Sequence, residues 1–256
     1  MSAAAPGPYH RPRSRGPCRQ RPHPICYSTP HAPHRHTPRR PHGCRAAGAI
    51  PVRRPTALLP SWLLSLAACA AVAAFSFGHI DVPMARYFWK IGRFLHPLNK
   101  PFGASGILTL ESAVVLSLVL ARLVRGHISR FAEVLAIACL ASICAYGINS
   151  LVLKPFFGIP NPTAVLHGAA HALHLWKGSA MSSFPSGHMV LSGAFAGVFM
   201  RLYRASTWPL AALLLIAAVL LVVGDWHFLS DVVAGSFLGL SAGTLAGEAW
   251  SAHLGR

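Results

Sequence analysis

Acidic residues are scarce in this chain, which has six Asp and Glu against 23 Lys and Arg in 256 residues. Charged residues make up only 11% of it and hydrophobic residues 53%, whereas the surface of a water-soluble domain needs a larger charged share. An ordinary soluble domain is therefore excluded, and the composition predicts a protein of the lipid bilayer. The six cysteines show no CxxC spacing and three of them lie in apolar segments, so neither a disulfide framework nor a zinc site is predicted.

The first 56 residues contain no acid but hold eleven arginines, so the net charge of +17 belongs mainly to this part. They are rich in Pro, Arg and His and lack apolar periodicity, so they cannot bury enough surface to offset chain entropy. We expect residues 1–56 to form a disordered basic tail and residues 57–256 a transmembrane domain. The tail is either an inert extension or mis-assigned start, or an arm that binds anionic lipid or nucleic acid. For the protein as a whole, no nucleic-acid partner is expected.

Apolar runs separated by short polar breaks predict an all-α fold, a bundle of six transmembrane helices. The helices are expected at about 57–78, 106–124, 132–153, 188–203, 209–225 and 231–250. The segment from Ile80 to Leu98 differs, because its apolar residues recur at helical spacing while Arg86, Lys90 and Arg93 fall elsewhere around the helix. It predicts an amphipathic helix that either lies in the membrane interface or packs against the bundle.

Arginines indicate the orientation of the bundle. They lie before the first helix, between the second and third, and after the fourth, which predicts that these regions are cytoplasmic. Basic residues at 86–100 oppose this orientation unless they lie among lipid headgroups. With an even number of helices, the 154–187 loop and the 225–230 turn share the opposite face. We therefore expect a multi-pass protein of the cell (inner) membrane whose active face is extracytoplasmic.

Three side chains on that face have catalytic potential: His188, His227 and Asp231. An unprotonated imidazole can attack a phosphate ester and form a covalent phospho-intermediate. Asp231 follows His227 by four residues at the start of an apolar helix, so its carboxylate is expected to hydrogen-bond the other ring nitrogen. The set predicts His227 as nucleophile and His188 as the acid that protonates the departing alcohol. Either histidine alone would more simply be structural.

Phosphate-binding groups are expected beside these residues. Ser186 and Gly187 lie in a turn at a predicted helix N-terminus, where free N–H groups and the helix dipole favour an anion. Lys154 follows the third helix and either adds a fixed positive charge or extends its ammonium to the membrane surface.

The order and spacing of these residues resemble the type 2 phosphatidic acid phosphatase superfamily, which shares its catalytic core with vanadium haloperoxidases. The family motifs K-x6-R-P, P-S-G-H and S-R-x5-H-x3-D correspond to Lys154–Pro162, Pro185–His188, and His227 with Asp231. The resemblance covers roughly residues 57–250. It implies an all-helical core and a phosphohistidine mechanism that needs no metal, and we expect no cofactor.

The chain departs from these motifs at two arginine positions. Asn161 replaces the arginine of the first motif, and Leu220 and Leu221 replace the Ser-Arg of the third. Each lost bidentate phosphate contact would cost about 1.5–3 kcal/mol. Candidate substitutes are Lys177 and three histidines of the same loop. If no other group replaces the arginines, the substrate carries a different headgroup, such as a diphosphate, or the protein has lost turnover and kept binding.

The three histidines are His167, His171 and His174, and their helical spacing fits a solvated loop helix, a phosphate contact or a zinc site.

Two functions from different classes follow. The first is a membrane phosphatase that hydrolyses a lipid phosphate or diphosphate monoester at the extracytoplasmic face. The second is a catalytically impaired relative that binds anionic lipid or a membrane partner. Retention of both histidines and the aspartate favours the first, since a binding protein has no use for a nucleophile, an acid and an orienting carboxylate together. A phosphotransferase using the same histidine is a further alternative, and a haloperoxidase is less favoured because the arginines are missing. The sequence leaves the oligomeric state unknown.

Overall fold

The computed structural model describes residues 59–95 and 103–254, so the predicted tail at 1–56 lies outside the described residues. Within these ranges all regular structure is helical. The α-helices are α1 (Leu59–His79), α2 (Asp81–Leu95), α3 (Ala104–Arg125), α4 (Arg130–Ile148), α5 (Lys154–Phe157), α6 (Pro162–Leu166), α7 (Gly187–Leu202), α8 (Thr207–Val223) and α9 (Leu229–Leu254). A π-helical turn, Asn149–Leu153, joins α4 to α5, and a 3-10 turn, Arg204–Ser206, precedes α8.

Five helical ranges in the described part of the chain are long and apolar enough to cross a membrane. They are Leu59–His79, Ala104–Arg125, Arg130–Leu166, Arg204–Val223 and Leu229–His253. Large apolar side chains on these helices are exposed, for example those of Leu123 and Val124. Such a surface is stable in lipid and not in water. The prediction of an all-helical membrane protein is therefore confirmed for the described residues.

Helix α7 was predicted as the fourth membrane helix at 188–203, and it forms, but it has 16 residues. Its length of about 24 Å is less than the ~30 Å hydrocarbon core of a bilayer. The predicted count of six membrane-spanning helices therefore stays a prediction. Most residues of α7 are buried, and the helix contacts α3, α4, α8 and α9. It is the central helix of the bundle.

Close backbone packing joins α7 to α9, because glycine recurs at every fourth position along α9. These glycines are Gly235, Gly239, Gly243 and Gly247. A Cβ atom on Gly239 would lie 2.6 Å from the carbonyl oxygen of Val190, and one on Gly235 would lie 2.6 Å from that of Ser186. Small residues at this spacing let membrane helices approach until their backbones touch. The glycine stripe therefore fixes the position of α7 against α9.

Helices α7 and α9 are parallel. Gly235 lies beside Ser186, just before α7 begins, and Arg201 near the end of α7 donates from Nε to Oε1 of Glu248 at 2.8 Å. Both helices therefore start at one end of the bundle, and α8 returns the chain between them. The predicted catalytic residues all lie near these two starts, so the packing of α7 on α9 brings them together.

The predicted amphipathic helix at 80–98 is present as α2, and its described part ends at residue 95. Near its start, the buried carboxylate of Asp81 accepts hydrogen bonds from the Ser230 N–H at 3.1 Å and the Ser230 hydroxyl at 2.5 Å. Further along, Gly92 packs so closely on Asp225 that a Cβ atom there would lie 2.6 Å from Oδ2. Helix α2 therefore packs against the bundle near both of its ends.

The opposite side of α2 is apolar and exposed. Tyr87, Ile91 and Phe94 recur at helical spacing and lie open to the surroundings. An apolar arc of this kind is what an interfacial helix presents to lipid. The two sequence interpretations of this segment are therefore compatible: α2 packs by one side, and its position in the membrane interface stays a prediction.

Candidate active site

The turn before α7 is held by hydrogen bonds from two other elements. Asn149, in the π-helical turn after α4, donates from Nδ2 to the carbonyl oxygen of Pro185 at 3.3 Å. The N–H of Ser186 donates to the carbonyl oxygen of Asp231 at 3.0 Å, and its hydroxyl accepts from Met189 as the N-cap of α7. Ser186, predicted as a phosphate ligand, therefore uses both its N–H and its hydroxyl to hold the turn.

The two predicted catalytic histidines contact each other. His188 Nδ1 lies 3.2 Å from His227 Nε2, and the two rings meet edge to face at 73°. His227 is 8% exposed, and the ring of Trp226 stacks beside His188. The structure thus brings together, on one end of the bundle, two residues separated by most of α7 and the whole of α8.

Asp231 reaches His227 through a third residue, Ser183, which the sequence analysis missed. The Ser183 hydroxyl donates to Asp231 Oδ2 at 2.5 Å and lies 3.3 Å from His227 Nδ1. The direct distance from His227 Nδ1 to Asp231 Oδ2 is 3.5 Å, too long for a hydrogen bond. Asp231 Oδ2 also accepts from the Phe228 N–H at 2.8 Å. The predicted direct bond between Asp231 and His227 is therefore replaced by a hydroxyl bridge.

The bridge fixes where the protons lie. Ser183 has one hydroxyl proton, which it donates in the hydrogen bond to Asp231, so in the contact with His227 the donor is the Nδ1–H and the acceptor is Ser183 Oγ. A neutral His227 then carries an unprotonated Nε2, which accepts from Nδ1 of His188. The chain of contacts leaves the lone pair of His227 Nε2 facing His188. This is the protonation state that a nucleophilic histidine needs.

Lys154 holds the loop that carries Ser183. Its ammonium donates to the carbonyl oxygen of Ser182 at 2.6 Å, and the residue is 8% exposed. Its charge also interacts with the carboxylate of Asp231. The alternative in which this side chain extends to the membrane surface does not fit a buried, bonded ammonium. Lys154 therefore lies beside the site, with one of its protons used by the loop.

The remaining predicted phosphate ligands lie elsewhere or have other partners. Asn161 Oδ1 accepts from the Ala164 N–H at 2.8 Å and caps α6. Lys177 is exposed in the loop before α7. Leu221, at the position of the arginine in the third motif, is buried against Met189 and Val232. The N–H of His227 donates to the carbonyl oxygen of Leu221 at 3.3 Å. The hydrogen bond of Asn161 does not reach the histidine pair, and the role of Asn161 and Lys177 in phosphate binding stays a prediction.

The three loop histidines do not assemble into one cluster. His167 packs edge-on against Trp89, whereas His171 packs against Phe228 with its Nε2 3.8 Å from Asp81 Oδ2. Burial lowers the pKa of His171, and the nearby carboxylates of Asp81 and Asp231 oppose that shift. Residues 59–95 and 103–254 contain no group of three His, Cys, Asp or Glu side chains that could hold a metal ion. The described residues therefore give no support to the zinc alternative.

Asp225 is a second buried carboxylate that sequence reasoning left without a role. It is 2% exposed, adopts a left-handed backbone with φ of 53°, and packs on Gly92. Neither of its carboxylate oxygens has a hydrogen-bond partner within the described ranges. Burial raises the pKa of Asp225 from an ordinary 3.8 to about 6. The sequence signal for its position is only that it stands two residues before His227.

Replacing Asp225 with Asn is expected to stabilise the protein more at pH 8 than at pH 5. Because the folded-state pKa is raised, the folded state holds this proton more tightly than the unfolded state, and stability is lost as the pH rises from 3.8 through about 6. Asn removes the buried charge and tolerates positive φ. The midpoint of thermal unfolding in detergent should rise at pH 8 by about 2–4 °C per kcal/mol gained.

Asp81→Asn is the matched control for this prediction, because Asp81 is also buried but accepts hydrogen bonds from Ser230. It should not gain stability at pH 8. Equal shifts for Asp225→Asn at pH 5 and pH 8 would show that the pKa of Asp225 in the folded protein is not raised, and would contradict the prediction.

A family model described as PAP2 superfamily matches residues 132–251. The matched range runs from α4 to α9 and includes the three motif regions singled out in the sequence. Neither the curated proteins nor the solved structures give a match. The family match and the contacts between His188, Ser183, His227 and Asp231 concern the same part of the chain.

Proposed function

We propose that this membrane protein hydrolyses a lipid phosphate or diphosphate monoester through a phosphohistidine intermediate, because a PAP2 superfamily model matches residues 132–251 and members of that superfamily are phosphatases. The observation that carries the proposal is the continuous contact from Asp231 through Ser183 and His227 to His188. These contacts place the proposed nucleophile, His227, between its proposed acid, His188, and the Ser183 hydroxyl that links it to Asp231.

In the first step, His227 Nε2 forms a bond to phosphorus while the bond from phosphorus to the lipid oxygen breaks. The departing oxygen takes the Nδ1 proton of His188, which starts this step as the imidazolium cation and ends it as neutral imidazole; this Nδ1 lies 3.2 Å from the attacking nitrogen before substrate binds. His227 becomes positively charged, and its Nδ1–H is held by Ser183, whose hydroxyl is held in turn by the carboxylate of Asp231.

In the second step, His188 Nδ1 accepts a proton from water, whose oxygen attacks phosphorus as the bond to His227 Nε2 breaks. Phosphate leaves, and both rings return to their starting protonation. If an alcohol replaces water, the same step gives a phosphotransferase, so the acceptor alone separates these two activities. No metal is needed for either step.

For binding of the phosphate oxygens we propose the first-turn N–H groups of Gly187 and His188, because the N–H of Ser186 already bonds Asp231. The helix dipole of α7 adds to their effect on an anion. Lys154 supplies a positive charge nearby. These groups are proposed to do part of what the missing arginines do in the family.

We place this end of the bundle on the extracytoplasmic face of the cell (inner) membrane. Support comes from Arg201, which lies at the end of α7 away from the histidines and bonds Glu248 there. Arg122 and Arg125 lie at the end of α3 that leads to α4. Positive residues favour the cytoplasmic side.

Phosphate release from purified protein tests the proposal. The panel should include phosphatidic acid, a prenyl phosphate and a prenyl diphosphate, with His227→Ala beside the wild type and His127→Ala as control. His127 is exposed in the turn between α3 and α4. Release by the wild type and the control, with at least a ~10³-fold loss in His227→Ala, is expected.

If all three proteins were inactive on every substrate while a lipid still bound, the phosphatase proposal would be wrong. The result would favour the alternative of a catalytically impaired relative that only binds lipid. Phosphorylation of His227 without phosphate release would instead indicate a phosphotransferase waiting for its acceptor.

A further inference from the structure

A cavity opens between α2 and α6, and its described lining residues do not include His188, His227, Asp231 or Ser183. Its volume is about 450 Å³, within the range of small-molecule sites. Its described lining residues are Arg86, Trp89, Arg93, Leu166 and His167. Two arginines, one histidine and no acid among them give the cavity a cationic lining.

The two arginines are free to bind a ligand. Arg86 and Arg93 are seven residues apart on α2, which places them on the same side of the helix about 10 Å apart. Both are exposed, and within the described ranges neither forms an ion pair with a carboxylate. In a chain with only six acids such arginines have few partners of their own. A phosphate would supply the oxygens that a guanidinium binds best.

The other lining residues hold the shape of the cavity. His167 Nδ1 donates to the carbonyl oxygen of Thr163 at 2.7 Å, which leaves Nε2 as the ring nitrogen that can meet a ligand. Trp89 meets His167 edge to face at 5.5 Å between ring centroids. The guanidinium of Arg93 lies 6.0 Å from the centre of the Trp89 ring. The contact between Trp89 and His167 thus joins α2 to the end of α6 beside the two arginines of the cavity.

The position of the arginines on α2 indicates what kind of anion occupies the cavity. They lie beside the exposed apolar arc of Tyr87, Ile91 and Phe94. A helix with a basic strip next to an apolar strip lies where headgroup phosphates meet acyl chains. A lipid satisfies both strips together, because its phosphate meets the arginines while its chains cover the apolar arc. A soluble anion would satisfy only the first.

We propose that the cavity between α2 and α6 binds the phosphate of an anionic membrane lipid, with Arg86 and Arg93 as its principal ligands. The site needs no hydrolysis and does not rest on the proposed reaction. It lies on the helix that packs on Asp225 through Gly92. A lipid held here would therefore fix α2 against the segment that leads to His227.

Native mass spectrometry of the full chain in detergent tests the site, with titration of phosphatidylglycerol, phosphatidylcholine and inorganic phosphate. Phosphatidylglycerol is chosen because its phosphate is a diester, which the proposed monoester hydrolysis does not consume. The variant is Arg86→Gln with Arg93→Gln. Lys90→Gln is the matched control, since Lys90 is exposed on the same helix but outside the cavity lining.

Phosphatidylglycerol should bind the wild type and the control alike, and at least about tenfold more weakly to the double Gln variant. Phosphatidylcholine and inorganic phosphate should bind more weakly than phosphatidylglycerol. The eleven arginines of residues 1–56 are present in every variant, so their attraction for anionic lipid cancels in the comparison.

Equal binding of phosphatidylglycerol by the double Gln variant and the control would overturn the site. Inorganic phosphate that binds as tightly as the lipid and displaces it would overturn the lipid as occupant. If the Gln variant does not fold, Arg86→Lys with Arg93→Lys keeps the charge and loses the bidentate contacts, so it should bind with intermediate affinity. Unchanged binding of phosphatidylglycerol by the double Lys variant would likewise contradict the assignment. So would a loss of phosphatidylglycerol binding in Lys90→Gln.

Discussion

Replacing Asp231 with Asn is expected to lower kcat for phosphate release about 10³–10⁴-fold while the fold is kept. An amide oxygen at the Oδ2 position can still accept from the Phe228 N–H and the Ser183 hydroxyl. The hydrogen bonds therefore survive, and what is lost is the negative charge opposite His227. That charge matters most when His227 becomes cationic on phosphorylation, so kcat should fall much more than KM rises.

The measurement is the initial rate of phosphate release by wild type and Asp231→Asn, with thermal unfolding in detergent to check the fold. Glu248→Gln is the control, because Glu248 lies on the same helix and pairs with Arg201 at the far end. A loss below tenfold in a folded Asp231→Asn would show that Asp231 supports the structure of the site and not the charge of the intermediate.

The sequence predicts Asp231 near His227 because i and i+4 positions share a helix face, which is a local rule, and the structure has Asp231 Oδ2 3.5 Å from His227 Nδ1. Ser183 could not be found in this way. Its position depends on its N–H, which bonds the carbonyl oxygen of Ile159, and on Lys154, which bonds Ser182 next to it. Those contacts join parts of the chain more than 20 residues apart, and no periodicity marks them. A loop hydroxyl close to a motif is too common a pattern to single out.

The fold was predictable to the extent that it depends on hydropathy. The long apolar runs correspond to five helices of spanning length. Helix α7 is also apolar, but it is shorter than these helices and lies at the centre of the bundle. What separates it is its packing against the glycines of α9, such as Gly239 and Gly243. The spacing of those glycines was visible in the sequence and indicates a close helix contact, but it does not identify the partner helix. Asn161 was noted in the sequence only because it stands where the first motif has arginine. In the structure its side chain is the N-cap of α6.

Replacing His188 with Ala is expected to separate substrates by their leaving groups. A lipid alkoxide is a poor leaving group and needs the His188 proton, so its hydrolysis should slow about 10²–10⁴-fold. A nitrophenolate leaves without protonation, so the first step with p-nitrophenyl phosphate should slow far less. The second step lacks its base in this variant, so the phosphoenzyme on His227 should accumulate.

The expected observation for His188→Ala is therefore a burst of p-nitrophenolate close to one equivalent, followed by slow turnover, with phosphate found on His227 by mass spectrometry. His227→Ala should give no burst, and the exposed His127→Ala should turn over as the wild type does. Equal losses on the alkyl and aryl substrates would remove His188 from the role of acid. The 3.2 Å contact between His188 Nδ1 and His227 Nε2 would then serve to hold the nucleophile in its reactive tautomer, and the proton for the leaving group would have to come from water.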